Sequence, residues 1–375
     1  MIGSSLVAGL GVAAIALGAG AAPAEEAPPP DQLEEYEAQR TDEYAAQLEA
    51  YLREWLVDAY PERAADAWHR DYSSVDAFLA SVEPNRARWR AILAPPELEP
   101  SGPLERRPHR PLAELNGEWL TLPLGGLAAE AVLVIPESAG PVPLVIAQHG
   151  IGSFPERVFG VMDEGDAYHS YARALVEAGF AVLAPLNLRS QERRNRVERL
   201  CRLADTTLPG IELARMQRLL DAVLDDPRID GERVGMWGVS LGGMATMFWM
   251  PLEPRIKAGV VCAWFNHRRN KMAVSDKRYS CFLDTREEHA FFRGWLTEFT
   301  DSDAISLICP RPVLIQHGKE DGIAWWPQVV EEYEAARTHY ERLGMAERME
   351  LDLHEGRHEA RVDSGVAFLT KWLTG

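Results

Sequence analysis

The sequence predicts an α/β protein: a mostly parallel, twisted sheet with helices on both faces, preceded by an N-terminal helical extension. Three observations predict it. Short, near-continuous apolar runs alternate with segments of helical periodicity, the pattern of parallel strands buried on both faces. A Gly-Val-Ser-Leu-Gly stretch, Gly238 to Gly242, stands between one such run and a helix. The part of the chain before residue 95 has helical periodicity but no strand-like run.

Taken in order, the first 24 residues carry no charged side chain, and Leu6 to Leu17 is apolar and rich in Ala and Gly. Ala22-Pro23-Ala24 then supplies small residues ahead of Glu25, which reads as a secretory signal over 1–24 and an exported, periplasmic or extracellular, protein. The n-region lacks Lys and Arg, and residues 2 to 24 could just span a bilayer, so an uncleaved anchor is the alternative. After signal removal no stable membrane insertion is expected. Residues 25 to 30 form a Pro-rich linker. Tyr44, Leu48, Tyr51, Leu52, Trp55 and Leu56 then recur at helical steps, giving one apolar stripe expected to pack on the main domain. Pro61, Pro84 and Pro95-Pro96 are read as breaks between shorter helical pieces. Residues 25–105 are therefore a helical extension with its linker.

Residues 95 to 111 read as a connector. Glu118 to Leu122 and Ala129 to Ile135 suggest a hairpin around Gly125-Gly126. Val142 to Ala147 is a buried-type strand ending at His149-Gly150. A helix over Tyr168 to Glu177, a strand over Phe180 to Pro185 and a helix over Leu208 to Leu224 follow. Arg233 to Trp237 is a strand, and a helix starts after Ser240. Ala258 to Trp264, Pro312 to Gln316 and Met349 to Leu353 complete the strands. Gln328 to Leu343 and Val366 to Leu373 complete the helices. Residues 265 to 305 break the rhythm and are aromatic-rich, as an inserted cap would be.

Composition bounds the partners. The 375 residues hold 39 Lys plus Arg against 57 Asp plus Glu, a formal net charge of −18. Such a field repels phosphate backbones and anionic membrane surfaces, so nucleic acid is not an expected partner. Hydrophobic residues make up 46% and charged residues 26%, ordinary for a globular chain able to bury its own core. Cys201, Cys262, Cys281 and Cys309 show no C-x-x-C spacing. They are either buried thiols or, in an exported protein, bridged. Oligomeric state is not legible.

The chemistry centres on Ser240. A sharp turn between the strand at Val234 to Trp237 and the following helix would expose the hydroxyl, flanking glycines would avoid clashes, and the helix N-terminus would favour a developing oxyanion. A serine needs a base, and the base an orienting carboxylate. The strand Pro312 to Gln316 runs into His317-Gly318-Lys319-Glu320-Asp321-Gly322. Asp321 is preferred to Glu320 because Gly322 suits a tight turn. Met349 to Leu353 runs into His354-Glu355-Gly356-Arg357-His358-Glu359, where His358, in the loop, is preferred to His354 at the strand end. His149 and His317 precede glycines at strand ends and read as structural. Backbone N–H groups of Ile151 and Leu241 are the candidate oxyanion donors. Trp325 and Trp326 follow the acid loop and are candidate pocket residues. The mechanism requires no metal and no cofactor.

These residues carry a resemblance. His149-Gly150, Arg233 to Gly243, Pro310-Arg311-Pro312 leading to His317-Gly318 and Asp321, and His358-Glu359 together resemble the dienelactone-hydrolase-like and acetyl-xylan-esterase-like branch of the α/β-hydrolase superfamily, over roughly residues 112 to 375. The resemblance implies an α/β-hydrolase fold and carboxylic ester hydrolysis through an acyl-enzyme, with Ser240, Asp321 and His358 as triad. The expected substrate is a small-molecule or carbohydrate ester. Asn187 to Glu192 stands where one group of acetyl-xylan esterases carries Arg-Gly-Gln-Gly, so acetylated-sugar specificity is not implied. The expected organisation is a signal at 1–24, the extension at 25–105 and the hydrolase domain at 106–375, with a cap near 265–305. The rivals are a prolyl-oligopeptidase-like serine peptidase, whose β-propeller the helical extension cannot build, and a non-catalytic binding protein on the same scaffold.

Overall fold

The structure, a computed structural model, describes residues 29–375 apart from 164 and 166. The expected signal over 1–24 lies outside the described residues. Compactness divides the chain into two units, one up to Leu52 and one from Arg53 to Gly375. In the first, helix α1 (Leu33–Arg53) buries no side chain, and Tyr44, Leu48, Tyr51 and Leu52 are exposed.

The larger unit opens with helices α2 (Tyr60–Ala67) and α3 (Val75–Leu93). Pro61 starts α2, where a missing N–H costs nothing. Pro84, read from the sequence as a break, lies inside α3. A mid-helix proline costs about 3 kcal/mol. Burial of Phe78, Val82, Trp89 and Leu93 on the same helix offsets it. These side chains belong to the main hydrophobic core, so the second half of the expected extension is part of the sheet domain.

Strands β1 (Glu105–Pro108), β2 (Glu118–Leu124), β3 (Leu127–Val134) and β4 (Val142–Gln148) come next. Helix α4 (Tyr171–Glu177), strand β5 (Ala181–Pro185), helices α5 (Gln191–Leu203) and α6 (Leu208–Val223), and strand β6 (Ile229–Val239) follow. Then come α7 (Leu241–Trp249), β7 (Ile256–Cys262), α8 (Arg268–Ala273), α9 (Asp301–Ile308), β8 (Val313–Gly318), α10 (Trp326–Arg342), β9 (Met349–His354) and α11 (Val362–Leu373). They form a nine-stranded sheet in the order β1-β2-β3-β5-β4-β6-β7-β8-β9. The β1–β2, β2–β3 and β3–β5 pairs are antiparallel, and every pair from β5 through β4 to β9 is parallel.

Alternate side chains of each strand enter opposite layers. Leu144 and Ile146 of β4, with Leu183 of β5, join α3, α6, α7, α9 and α10 on one face. Val145 and Ala147, with Val182, join α4 and α11 on the other. Strand β1 and helices α5, α8 and α9 went unread in the sequence. Strand β1 (sequence Glu-Arg-Arg-Pro) is a mostly exposed edge with no apolar pattern. Helix α5 is charge-rich, capped by Ser190 and fixed by the buried Arg194–Glu212 pair at 2.7 Å. Residues 265–300 contain no strand; they hold α8 and three short helical turns. Their aromatics are mostly core: Phe265, Phe292 and Trp295 are buried, with Phe292 and Trp295 packed on Phe248. All four cysteines are buried free thiols, so no bridge forms. No helix among the described residues is long and apolar enough to cross a membrane.

Candidate active site

The central parallel strand β6 turns into α7 through Ser240, whose backbone sits at φ 59°, ψ −119°. A non-glycine residue there is strained and is held only by what surrounds it. The Ser240 N–H donates to the Cys262 carbonyl at 2.9 Å, and its own carbonyl accepts from Met244 N–H at 3.0 Å. The turn is so tight that a Cβ on Gly238 would fall 2.0 Å from the Gly242 carbonyl oxygen, and one on Gly242 would fall 2.1 Å from that of Gln148. Only glycine fits at either position.

The loop after β4 is locked by polar contacts. His149 is buried; its Nδ1–H donates to the Gly150 carbonyl at 2.9 Å, and its Nε2 accepts from Asn187 N–H at 3.3 Å. Burial pushes this imidazole down to about 4, keeping it neutral. Gly150 N–H donates to the Tyr168 hydroxyl at 2.9 Å. The N–H groups of Ile151 and Leu241 have no partner among the described residues, and both residues line the cavity at Ser240.

The loops after β8 and β9 zip together: Lys319 N–H donates to His354 O at 2.8 Å, and Glu320 N–H to Gly356 O at 3.0 Å. Asp321 is buried. One of its carboxylate oxygens accepts from Ile323 N–H at 2.9 Å and the other from His358 Nδ1–H at 2.8 Å. Burial alone would raise its pKa; the hydrogen bond and charge of His358 outweigh burial and hold it below the usual carboxylate range. Glu320 is exposed. With Nδ1–H committed to Asp321, Nε2 is the ring nitrogen left to act as base. His354 is buried at the strand end, where its Nδ1 accepts from Gly356 N–H at 3.1 Å. Glu359, the residue after His358, ties the loop down through His169 at 2.9 Å and Arg357 N–H at 2.9 Å.

Ser240, Asp321, His358, Ile151 and Leu241 thus line one cavity of about 100 Å³. No hydrogen bond joins Ser240 to His358 in this structure, a looseness common in unliganded sites. Trp325 and Trp326 do not line it, correcting the sequence reading. Trp325 stands under the Arg278 guanidinium at 3.8 Å, and Trp326 opens α10, 37% exposed. The chain reaches the cavity two residues earlier, at Ile323 and Ala324.

Sequence reasoning missed a polar wall made of Asn266, Arg268, Lys271 and His317. Arg268 is buried and paired with Asp301 at 2.7 Å. The Lys271 ammonium donates to Ser280 Oγ, the Ser280 carbonyl and the Ile323 carbonyl, and burial lowers its pKa to about 8. Asn266, Arg268 and Lys271 lie far in sequence from any motif, and His317, although inside one, was read as structural. Among the described residues no cluster of His, Cys, Asp and Glu is placed to hold a metal ion.

A serine at this strained turn, after the central strand of a sheet so ordered, defines the α/β-hydrolase fold. No family model matches the chain. It is 28% identical over 269 residues to the Bacillus subtilis (strain 168) protein named "Putative hydrolase YtaP", covering 68% of this chain and 88% of that one. A solved structure titled "putative acetyl xylan esterase", from Bacteroides fragilis NCTC 9343, superposes with a TM-score of 0.63 at 17% identity, covering 81% of each chain. A CE15 glucuronoyl esterase from Teredinibacter turnerae T7901 gives 0.57 at 16% identity, covering 82% of this chain and 90% of that one. A glucuronoyl esterase from Solibacter usitatus gives 0.58 at 15%, covering 81% and 95%. At these identities the likeness to the solved structures is one of fold.

Proposed function

We propose that this chain is a serine esterase that cleaves carboxylic esters through Ser240, His358 and Asp321. The observation that carries the reading is the 2.8 Å Asp321–His358 hydrogen bond beside the strained Ser240 turn, on the wall of one cavity. His358 Nε2 takes the Ser240 proton as Oγ attacks the ester carbonyl carbon. The carbonyl π electrons move to oxygen, where the Ile151 and Leu241 N–H groups hold the oxyanion. Collapse expels the alcohol, protonated by His358, and leaves an acyl-serine. Water, deprotonated by His358, attacks that ester and releases the acid and free Ser240. The esterase titles of the structural neighbours favour a small or carbohydrate ester over a peptide bond. The uncharged Ala- and Gly-rich start with Ala22-Pro23-Ala24 supports export.

The test is hydrolysis of p-nitrophenyl acetate beside an aminoacyl-Pro amide. Turnover of the ester alone, abolished in Ser240→Ala, is expected. Cleavage of the amide in preference would favour the peptidase, and turnover of neither the binding protein.

A further inference from the structure

Three residues that line the cavity carry four buried polar atoms with no hydrogen-bond partner among the described residues: Nδ1 and Nε2 of His317, Oδ1 of Asn266 and Nε1 of Trp264. They come from adjacent strand ends. Strands β7 and β8 pair in parallel with Cys262 opposite Gln316, and Ala263 N–H donates to Gln316 O at 2.9 Å. Trp264 and Asn266 therefore leave one strand where His317 leaves its neighbour. His317 is 1% exposed and Asn266 2%. Unpaired buried groups of this kind are rare in folded proteins and costly to keep. With no protein partner for the four, their partner is an occupant of the cavity, either ordered water or a polar group of the substrate that displaces it.

The chemistry of that occupant follows from what is unpaired. Burial lowers the His317 pKa to about 4, so the ring is neutral at pH 7 and offers one donor and one acceptor. Asn266 Oδ1 adds an acceptor and Trp264 Nε1 a donor. The cations on the same wall are already committed, Lys271 to three oxygens and Arg268 to Asp301 and the Trp264 carbonyl. An alkyl group would satisfy none of the four atoms, and a carboxylate offers no proton to an acceptor. A hydroxyl both donates and accepts. The volume of about 100 Å³ is below the roughly 150 Å³ that admits benzene, so the group is small.

We propose that His317 and Asn266 form a hydroxyl-recognition subsite, so that the part of the ester entering this cavity bears a hydroxyl group. The proposal rests on the serine-esterase reading and names its substrate class. Two isosteric pairs test it with the full chain: ethyl glycolate against ethyl propanoate for the acyl side, and 2-hydroxyethyl acetate against propyl acetate for the alcohol side. In one pair the hydroxylated ester is expected to have a kcat/KM higher by tenfold or more, on the order of what one polar recognition contact supplies. The ratio should fall toward one in His317→Phe and in Asn266→Leu, without a drop in unfolding temperature, because each change removes an unpaired buried atom. A merely structural role would instead lower the unfolding temperature and both rates together. No preference in either pair, with p-nitrophenyl acetate still hydrolysed, overturns the subsite and leaves the esterase reading intact. If no ester is cleaved, that reading fails and binding decides the subsite. In ¹⁵N-histidine-labelled Ser240→Ala protein, the His317 ring signal, assigned by its loss in His317→Phe, should move with a hydroxylated ester and not with its isostere. Equal response or none overturns it.

Discussion

At the scale of single residues, two adjacent carboxylates have opposite fates. Glu320 projects into solvent, while Asp321 turns inward, accepts from Ile323 N–H and holds His358 in the tautomer a base requires. Asp321→Asn should keep the fold and lower kcat by about 10⁴, because an amide in that position can favour the wrong tautomer. Glu320→Gln should change kcat less than about twofold, since an exposed loop charge contributes little. Steady-state kinetics on p-nitrophenyl acetate checks both, and the reverse ranking would reassign the acid. These residues were legible because glycines mark their loops. His317, Asn266 and Lys271 were not: nothing local distinguishes a histidine bridging a turn, as His149 does, from one buried without a partner.

At the scale of elements, apolar runs bounded by turn residues were read correctly as β4, β5, β8 and β9, because strands buried on both faces leave that imprint. Strand β1 and helix α5 left none; backbone pairing to β2 holds the first, and ion pairs hold the second. Pro84 misled because local propensity was outweighed by tertiary burial along α3. Trp89 on that helix is fully buried, donates Nε1–H to the Phe248 carbonyl at 3.0 Å and packs edge-on against the Phe248 ring. Trp89→Ala should therefore cost about 3–5 kcal/mol in urea unfolding. A loss under 1 kcal/mol would mean that α3 is an appendage after all. Between α9 and α10, Glu332 is buried near Asp301 and Asp303, and its carboxylate accepts from Ser302 N–H at 2.8 Å. Burial first, then the charge of Asp301, raises its pKa from 4.5 to about 7. The folded state thus holds this proton more tightly than the unfolded chain, so the stability it confers is full below pH 4.5 and is lost as pH rises through about 7. Glu332→Gln, which keeps an acceptor for Ser302, should exceed the wild type at pH 8 by on the order of 1–3 kcal/mol and match it near the acid end. Equal stabilities at pH 8 would show that the carboxylate is well solvated or paired.

For the whole molecule, the parallel half of the sheet brings loops from residues 151, 240, 321 and 358 to one rim, over two hundred residues of chain converging on a single small cavity. Chain order alone pointed to that convergence, because the ends of parallel strands face one way and the loops beyond them share an edge. Domain limits were less legible. Compactness separates the chain after Leu52, whereas composition changes only near the Pro-rich stretch at 95–111, since helices of the two units can share the same periodicity. The most direct test of the proposal that Ser240 is the nucleophile is peptide mapping by mass spectrometry after treatment with a fluorophosphonate. The probe should add to Ser240 alone, and labelling should collapse in His358→Ala. Labelling of another residue, or ester turnover that persists in Ser240→Ala, would contradict it.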